Sequence, residues 1–534
     1  MIFQSNWILT MQRLFCILIF SFSISTIVIQ TIKADDIFPD ESGTIPIAAW
    51  DVIPDQIIDQ PFHAGVIAFH EVSVSVHFTI KSKDQTVAQL QVDSPTLNPR
   101  TGVWEFVLPI DPKQIPDGDF QVIATCTPGG QGNRAVTLEP LNLFANHAKS
   151  LGPFKTVYAD ADTGDDNSPG TQAKPFKTLA KAVKAAGDGG TVLLGAGEYS
   201  PHQIRAGLNR KYWTTIAPTL GTQVQDVQIS SGRPGTQRLR FERITLFADK
   251  AQGKYNTIIA GENGKTQVWL DQCVMLNKQG RWKGNVNVLG NRYVSYITGG
   301  LSTQLNNGPA ARLMRNHRVE HITSDAFTSV AVAINSTVVD IDRGPTSAHP
   351  DFHQSHVAKP DQFNTNRILY NVRGIDCIAQ GFFGLNLKDS AFVNCLYDKV
   401  QGNYYRSQYS GKLDHVLFFH ITLPNQTWLW RSNLKTRNCY ILNSLFQSMG
   451  TMKGADVLGV TISDTHIMGK NSMSKTAHLT VGSPMFINAQ ENNFAIPTSS
   501  PAAGNAPRLQ TVPADINGKA RQNDKVDRGA FIAE

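Results

Sequence analysis

The stretch TVYADADTGDDNSPGTQAKPFKTLAKAVKAAGDGGTVLLGAGEY, residues 156–199, constrains the fold of this chain more than any other. Residues 156–160 alternate as a short strand and run into a cluster of Asp, Gly, Asn, Ser and Pro that reads as loop. Lys177, Leu179, Ala180, Val183 and Ala186 then recur at helical spacing, which predicts a helix over 177–187. Gly189 and Gly190 are expected to stop it before the apolar strand 191–194. A short amphipathic helix beside an apolar strand is what the end of a solenoid requires, because a terminal coil has no neighbour to cover its interior.

From about residue 240 short apolar strands recur, among them LRFERITLF, VWLDQCVML, SAFVNCLYD and VLFFHITLP. Their central polar positions, Glu242, Asp271, Ser295, Glu320, Asn371, Asn394, His420 and Asn443, mostly follow one another at a near-constant interval, one coil per repeat. Asn335 breaks that spacing, falling too soon after Glu320 and too long before Asn371. Asn371, Asn394, His420 and Asn443 are expected to form an internal ladder, hydrogen-bonded from coil to coil. The cassette at 156–199 resembles the N-terminal cap of secreted right-handed parallel β-helix proteins of the pectate-lyase-like superfamily, and residues 483–534 resemble the closing passage of bacterial members. The resemblance implies a right-handed, single-stranded parallel β-helix over 153–534.

Residues 35–148 read as a separate all-β unit. Alternating strands at 72–80, 86–92, 102–110 and 118–126, separated by Pro, Asn, Asp and Gly turns, predict an immunoglobulin- or fibronectin-like β-sandwich. It shows no catalytic constellation, and its His63, His70 and His77 are not read as ligands. Residues 1–34 have the basic start and apolar run of a signal peptide, which predicts a secreted, cell-surface or periplasmic protein with no membrane attachment after cleavage. Loss of Arg13 and Lys33 with that segment lowers the formal charge from +6 to +4. No dense basic block remains, so nucleic acid is not an expected partner, whereas an acidic polysaccharide is compatible. Cys126, Cys273, Cys377, Cys395 and Cys439 form no CxxC pair and are expected to be buried thiols in a monomer.

The densest polar region is RVEHITSDAFTSVAVAINSTVVDIDRGPTSAHPDFHQSH, residues 318–356. Asp325, Asp351 and Asp376 follow one another at close to the coil repeat and are expected to stack on one face. Strands in neighbouring coils lie about 4.8 Å apart, close to the roughly 5 Å between the carboxyl groups of retaining glycosidases. Crowded carboxyls raise one another's pKa, as a general acid requires. The same pair, Asp325 and Asp351, would also suit Ca2+, a hard cation that prefers carboxylate oxygens. A lyase would instead need a base, for which His349, His353, Lys359 and Lys388 are candidates, and a cation such as Arg343, Arg367 or calcium to neutralise a uronate. HPDFHQ resembles a His-x-Asp-x-x-Gln pattern of other secreted β-helix proteins, which carries over to His349, Asp351 and Gln354. The signatures of polygalacturonases and of individual lyase families are missing.

Pro350 and the lack of a glutamate argue against a zinc site at His349 and His353. Aromatic and basic residues further on, Phe382, Phe383, Tyr404, Tyr405, Arg406, Tyr409, Trp428, Trp430 and Arg431, are of the kind on which sugars stack or hydrogen-bond. The expectation is a polysaccharide lyase or glycoside hydrolase whose centre is His349, Asp351, Asp325, Asp376 and Arg343, with Gln354, His353, Lys388, Arg406 and Trp430 binding substrate. A non-catalytic surface or adhesion protein is the competing class, because fold alone does not imply chemistry.

Overall fold

The structure, a computed structural model, describes residues 38, 43–199, 210–222, 224–230, 238–248, 256–259, 267–283, 286–289, 294–327, 330–355, 361–398, 406–471 and 478–534. The expected signal segment lies outside them. No described helix is long and apolar enough to cross a membrane.

The N-terminal strands pair into two antiparallel sheets. One orders Ile47–Trp50, Phe62–Phe69, Trp104–Ile110 and Thr96–Leu97; the other orders Ile57–Ile58, Leu141–Ala145, Gly118–Pro128, Val74–Ser82 and Gln85–Val92. Strand Val74–Ser82 shows why they close on one another: Val74, Val76, Phe78 and Ile80 are buried while His77 between them is exposed.

Most of the remaining strands build a right-handed parallel β-helix. Its cap helix is Leu179–Ala186, with the Thr178 hydroxyl accepting the Lys181 N–H and Leu179, Ala182, Val183 and Ala186 turned onto the first coils. It ends at Gly187 (φ 74°), two residues before the expected double glycine. Strands stack in register from coil to coil. A first stack runs through Gln267–Asp271, Val294–Thr298, Ala311–Arg315, Val330–Ile334 and Ile368–Tyr370. A second runs through Val274–Asn277, Leu301–Thr303, Arg318–Ile322, Thr337–Ile341 and Arg373–Ile375. Later coils add a third stack, beginning at Asp351–Ser355, and a fourth, beginning at Asn364–Thr365.

One residue per coil turns the chain from the first stack into the second in the left-handed region: Arg243, Gln272, Gly299, Asn316, Asn335, Asn371, Asn394, His420, Asn443 and Asp464, with φ between 48° and 64°. Asparagine suits the position because its short polar side chain tolerates that conformation. Asn371 Nδ2 donates to Asn335 Oδ1 at 2.9 Å, and Asn394 Nδ2 to Asn371 Oδ1 at 3.0 Å. Asn335 therefore belongs to the ladder. Ser295 and Glu320 do not, since they lie inside first- and second-stack strands, and Glu242 and Asp271 precede their turn residues by one. The step from Asn335 to Asn371 is long because the third- and fourth-stack strands enter there.

First-stack strands are apolar on both faces. Leu270, Ile297, Met314, Ala333 and Leu369 point into the β-helix core, while Trp269, Tyr296, Leu313, Val332 and Ile368 share a second core with Ile47, Ile53, Ile67, Phe69 and Val103 of the sandwich. Trp213 Nε1 donates to the Pro54 carbonyl at 2.8 Å, and Arg315 pairs with the fully buried Asp51 in the same seam. Burial raises the Asp51 pKa against the pull of that guanidinium. The five described cysteines are free and buried, and burial pushes those of the β-helix up to about 12, the structural thiols expected.

Candidate active site

The third stack carries the polar centre. Its register aligns Gln354 with Phe383, Phe383 with Gln408, and Gln408 with Leu429. Gln354, Phe383 and Leu429 are partly exposed, while Phe352, Phe382, Tyr409, Trp428 and Trp430 fill the interior.

Asp351 begins the stack, and backbone contacts place it. Its N–H donates to Asp325 Oδ1 at 3.0 Å, and its carbonyl accepts the Ala326 N–H at 3.0 Å. Asp325 is held in turn by its own N–H on Asn307 Oδ1 at 3.2 Å and its carbonyl on the Gly308 N–H at 2.8 Å. The two aspartates expected to meet do meet. Asp376 does not join them: Val339 pairs with Ile375, so Asp376, just past its second-stack strand, stacks on Asp340 near the end of the one before, both in the left-handed region (φ 55° and 60°).

The Asp351 carboxyl is fully buried. Its Oδ2 accepts Gln354 Nε2 at 2.7 Å and lies 3.5 Å from His349 Nδ1, while Oδ1 has no hydrogen-bond partner. Burial, reinforced by the charge of Asp325, raises it to about 8 despite the opposing hydrogen bond from Gln354. The imidazole of His349 is by contrast 55% exposed. Its Nε2 lies 2.7 Å from Gln380 Nε2; Gln380 Oε1 accepts Gln408 Nε2 at 2.5 Å, and Gln408 Oε1 accepts Arg431 Nη1 at 2.9 Å.

This chain of contacts has one polarity. A guanidinium only donates, so Arg431 turns the oxygen of Gln408 toward itself, which turns the nitrogen of Gln380 toward His349. A nitrogen donor at Nε2 leaves that atom a lone pair and puts the imidazole proton on Nδ1, facing Asp351. The result is a half-exposed histidine whose outer nitrogen can accept a proton and whose inner N–H is backed by a buried acid.

Several expected site residues lie elsewhere. His353 is buried with its ring 5.0 Å from that of Phe392, and burial first, then the charge of Arg367, lowers it to about 3, so it serves neither as base nor as substrate contact. Trp430 is buried against Trp428 and Tyr409, which removes it as a sugar platform. Lys388 is on the fourth stack, 4.0 Å from Asp414, in a cleft shared with Thr44 and Arg134 of the sandwich rather than beside His349. Arg367 donates to the Val330 carbonyl. Arg343 is exposed on the loop leading to His349, and Asp342 beside it lies 3.6 Å from Arg281. The side chain of Arg406, and His356, Lys359, Tyr404 and Tyr405, lie outside the described residues.

For calcium, Asp325 and Asp351 supply two carboxylates; among the described residues no third His, Cys, Asp or Glu joins them as a cluster. Gln380, Gln408 and Asn307 are site residues that the sequence reading passed over. Gln354, Gln380 and Gln408 follow one another at near-coil spacing, a signal as regular as that of the aspartates. Asn307 has none.

Residues 162–205 match a family described as "Protein of unknown function (DUF1565)". No curated protein matches the chain. Solved structures similar in outline include the complex of XylC with xylose (9% identity, covering 71% of this chain and 98% of that one, TM-score 0.39). A GH136 lacto-N-biosidase from Eubacterium ramulus (11%, 61% and 68%, TM-score 0.30) and a rhamnogalacturonan lyase (13%, 69% and 95%, TM-score 0.32) are also similar. Likeness at this level carries no argument about chemistry, which rests on the residues above.

Proposed function

We propose that this protein is a carbohydrate-active enzyme that cleaves an extended acidic polysaccharide by β-elimination along the third stack, with His349 as the base. The observation that carries this reading is the pairing of a half-exposed imidazole with a buried, unusually basic carboxyl, His349 Nδ1 to Asp351 Oδ2 at 3.5 Å. His349 Nε2 takes the proton next to the uronate carboxylate, the sugar C–C bond becomes a double bond as the glycosidic C–O bond breaks, and the leaving oxygen takes a proton from solvent water. Asp351 holds the imidazolium that forms. Arg431 and the exposed Arg343 offer positive charge to the substrate's carboxylates, Phe383 offers an apolar ring, and Asp325 fixes the start of the Asp351 strand.

A second reading, hydrolysis with protonated Asp351 as acid and Asp325 as its partner, is favoured by the raised Asp351 pKa and requires that carboxyl to reach the surface. The test is a screen of uronate-containing and neutral polysaccharides with wild type, His349→Ala and Asp351→Asn. Ultraviolet-absorbing unsaturated ends that both variants lose support elimination. Reducing ends without that absorbance support hydrolysis. Binding with neither product leaves a non-catalytic surface protein, and activity lost to a chelator and restored by calcium makes Asp325 and Asp351 metal ligands.

A further inference from the structure

A second group of histidines lies where the sandwich meets the β-helix, far from His349 in register. His70 and Glu71 follow the sandwich strand Phe62–Phe69, and His415 sits at a left-handed turn (φ 54°) between the fourth and first stacks. One ligand atom from each lies within 4.8 Å of the others. His70 and His415 are buried, and the Glu71 side chain is 15% exposed.

The hydrogen bonds around this group leave two buried acceptors without a partner, His415 Nε2 and Glu71 Oε2, beside a third, His70 Nδ1, that receives one long N–H contact. His415 Nδ1 lies 2.9 Å from Asp389 Oδ1, so the ring donates there and its Nε2 carries no proton; that atom is buried with no hydrogen-bond partner. Thr44 Oγ1 has its one proton for Asn133 Oδ1 at 3.0 Å or Glu71 Oε1 at 3.3 Å, and with either choice it accepts from His70 Nε2 at 2.9 Å. That leaves His70 Nδ1 as an acceptor, and it takes the Val72 N–H at 3.3 Å. Yet His70 Nδ1 also lies 3.1 Å from Glu71 Oε2, a buried carboxylate oxygen likewise without a hydrogen-bond partner. Two imidazole nitrogens and a carboxylate oxygen converging without protons repel unless a cation lies among them.

We propose that His70, Glu71 and His415 bind a divalent transition metal, with Zn2+ the best match to a two-imidazole, one-carboxylate set. Asp389 behind His415 does what outer-shell carboxylates do at such sites, fixing the tautomer and aiming the ring. A narrow cleft with about the room of one water molecule opens beside Thr44, Asp389 and His415. The ion joins the sandwich to a coil that comes far later in the chain, so its role is to clamp the two together.

The test uses the full chain, dialysed against a chelator and then titrated with Zn2+ in competition with a chromogenic zinc indicator, and with Co2+ as a spectroscopic probe. One Zn2+ per chain and the intense visible bands of four-coordinate Co2+ are expected. Glu71→Gln and His415→Ala should each weaken Zn2+ about 100-fold or more, and Asp389→Asn about 10-fold. Zn2+ should raise the melting temperature of wild type and leave that of Glu71→Gln unchanged. No stoichiometric Zn2+ on the wild type, or full affinity in both Glu71→Gln and His415→Ala, overturns the assignment. Glu71→Gln is nearly isosteric and keeps the comparison open if His415→Ala fails to fold, and the wild-type titration decides without either.

Discussion

His349 faces a carboxyl at 3.5 Å on the rim of the third stack, and His70 faces one at 3.1 Å beneath the sandwich. Each imidazole has one nitrogen committed by a neighbour: Arg431 acting through two glutamines, or Thr44, whose own proton goes to Asn133 or Glu71. They differ in their surroundings: the His349 imidazole is 55% exposed, with Nε2 on the Gln380 amide and Nδ1 toward Asp351, whereas His70 Nδ1 is closed in with Glu71 and His415. On the two proposals above, identical residue types serve as a proton acceptor in one place and an ion ligand in the other, and access to water makes the difference.

The largest expected effect tests whether the seam over His70 is closed. Asp51→Ala leaves Arg315 buried without its partner and should cost about 3–5 kcal/mol in denaturant unfolding; a cost below about 1 kcal/mol would mean that water reaches the seam. At the open site, His349→Ala should lower kcat about 100-fold or more while moving unfolding free energy by no more than about 0.5 kcal/mol, as expected of a half-exposed side chain. A matching loss of stability would make His349 structural and erase the contrast.

Asp351→Asn separates activity from stability by pH. The Asp351 pKa is about 8 in the folded chain and near 3.8 when unfolded, so the folded state holds a proton that the unfolded state has released between those values. Wild-type stability should therefore be full below about pH 4 and fall as pH rises toward 8, by up to about 1.4 kcal/mol per unit from this group. The variant should lack that fall and be the more stable protein above pH 8, though inactive. The smallest effect is that of Arg431→Gln, which removes the fixed polarity of the relay. We expect about a 10-fold loss in kcat and a redistribution of the His349 tautomers in nitrogen chemical shifts; an unchanged tautomer would show that Asp351 alone orients the ring.

Much of the scaffold was legible because it is local. The strand 191–194 and the helix core Leu179–Ala186 follow from side-chain period and glycine placement, and Asn371, Asn394, His420 and Asn443 mark turns that favour short polar side chains. The coil repeat is misread at Ser295 and Glu320 because it takes a near-constant coil length, whereas Gly299, Asn316 and Asn335 close short coils and the coil that ends at Asn371 is far longer. Variable coils also explain the site. Asp325 and Asp351 meet because a turn and a strand start share backbone hydrogen bonds, and the same spacing fails for Asp376 because it belongs to another stack. Burial was the harder quantity to read: His353 and Trp430 look like substrate contacts in a sequence and point inward in the fold. The group at His70 was beyond sequence reading, since its partner arrives from another domain.

The first stack shows its outward apolar side chains to the sandwich, and the sandwich comes earlier in the chain. Ribosomes deliver polypeptide from the N-terminus, and domains generally fold as they emerge. A sandwich that folds first would stand ready to cover the outward apolar flank of the coils that follow it, the flank that would otherwise face other copies of the chain.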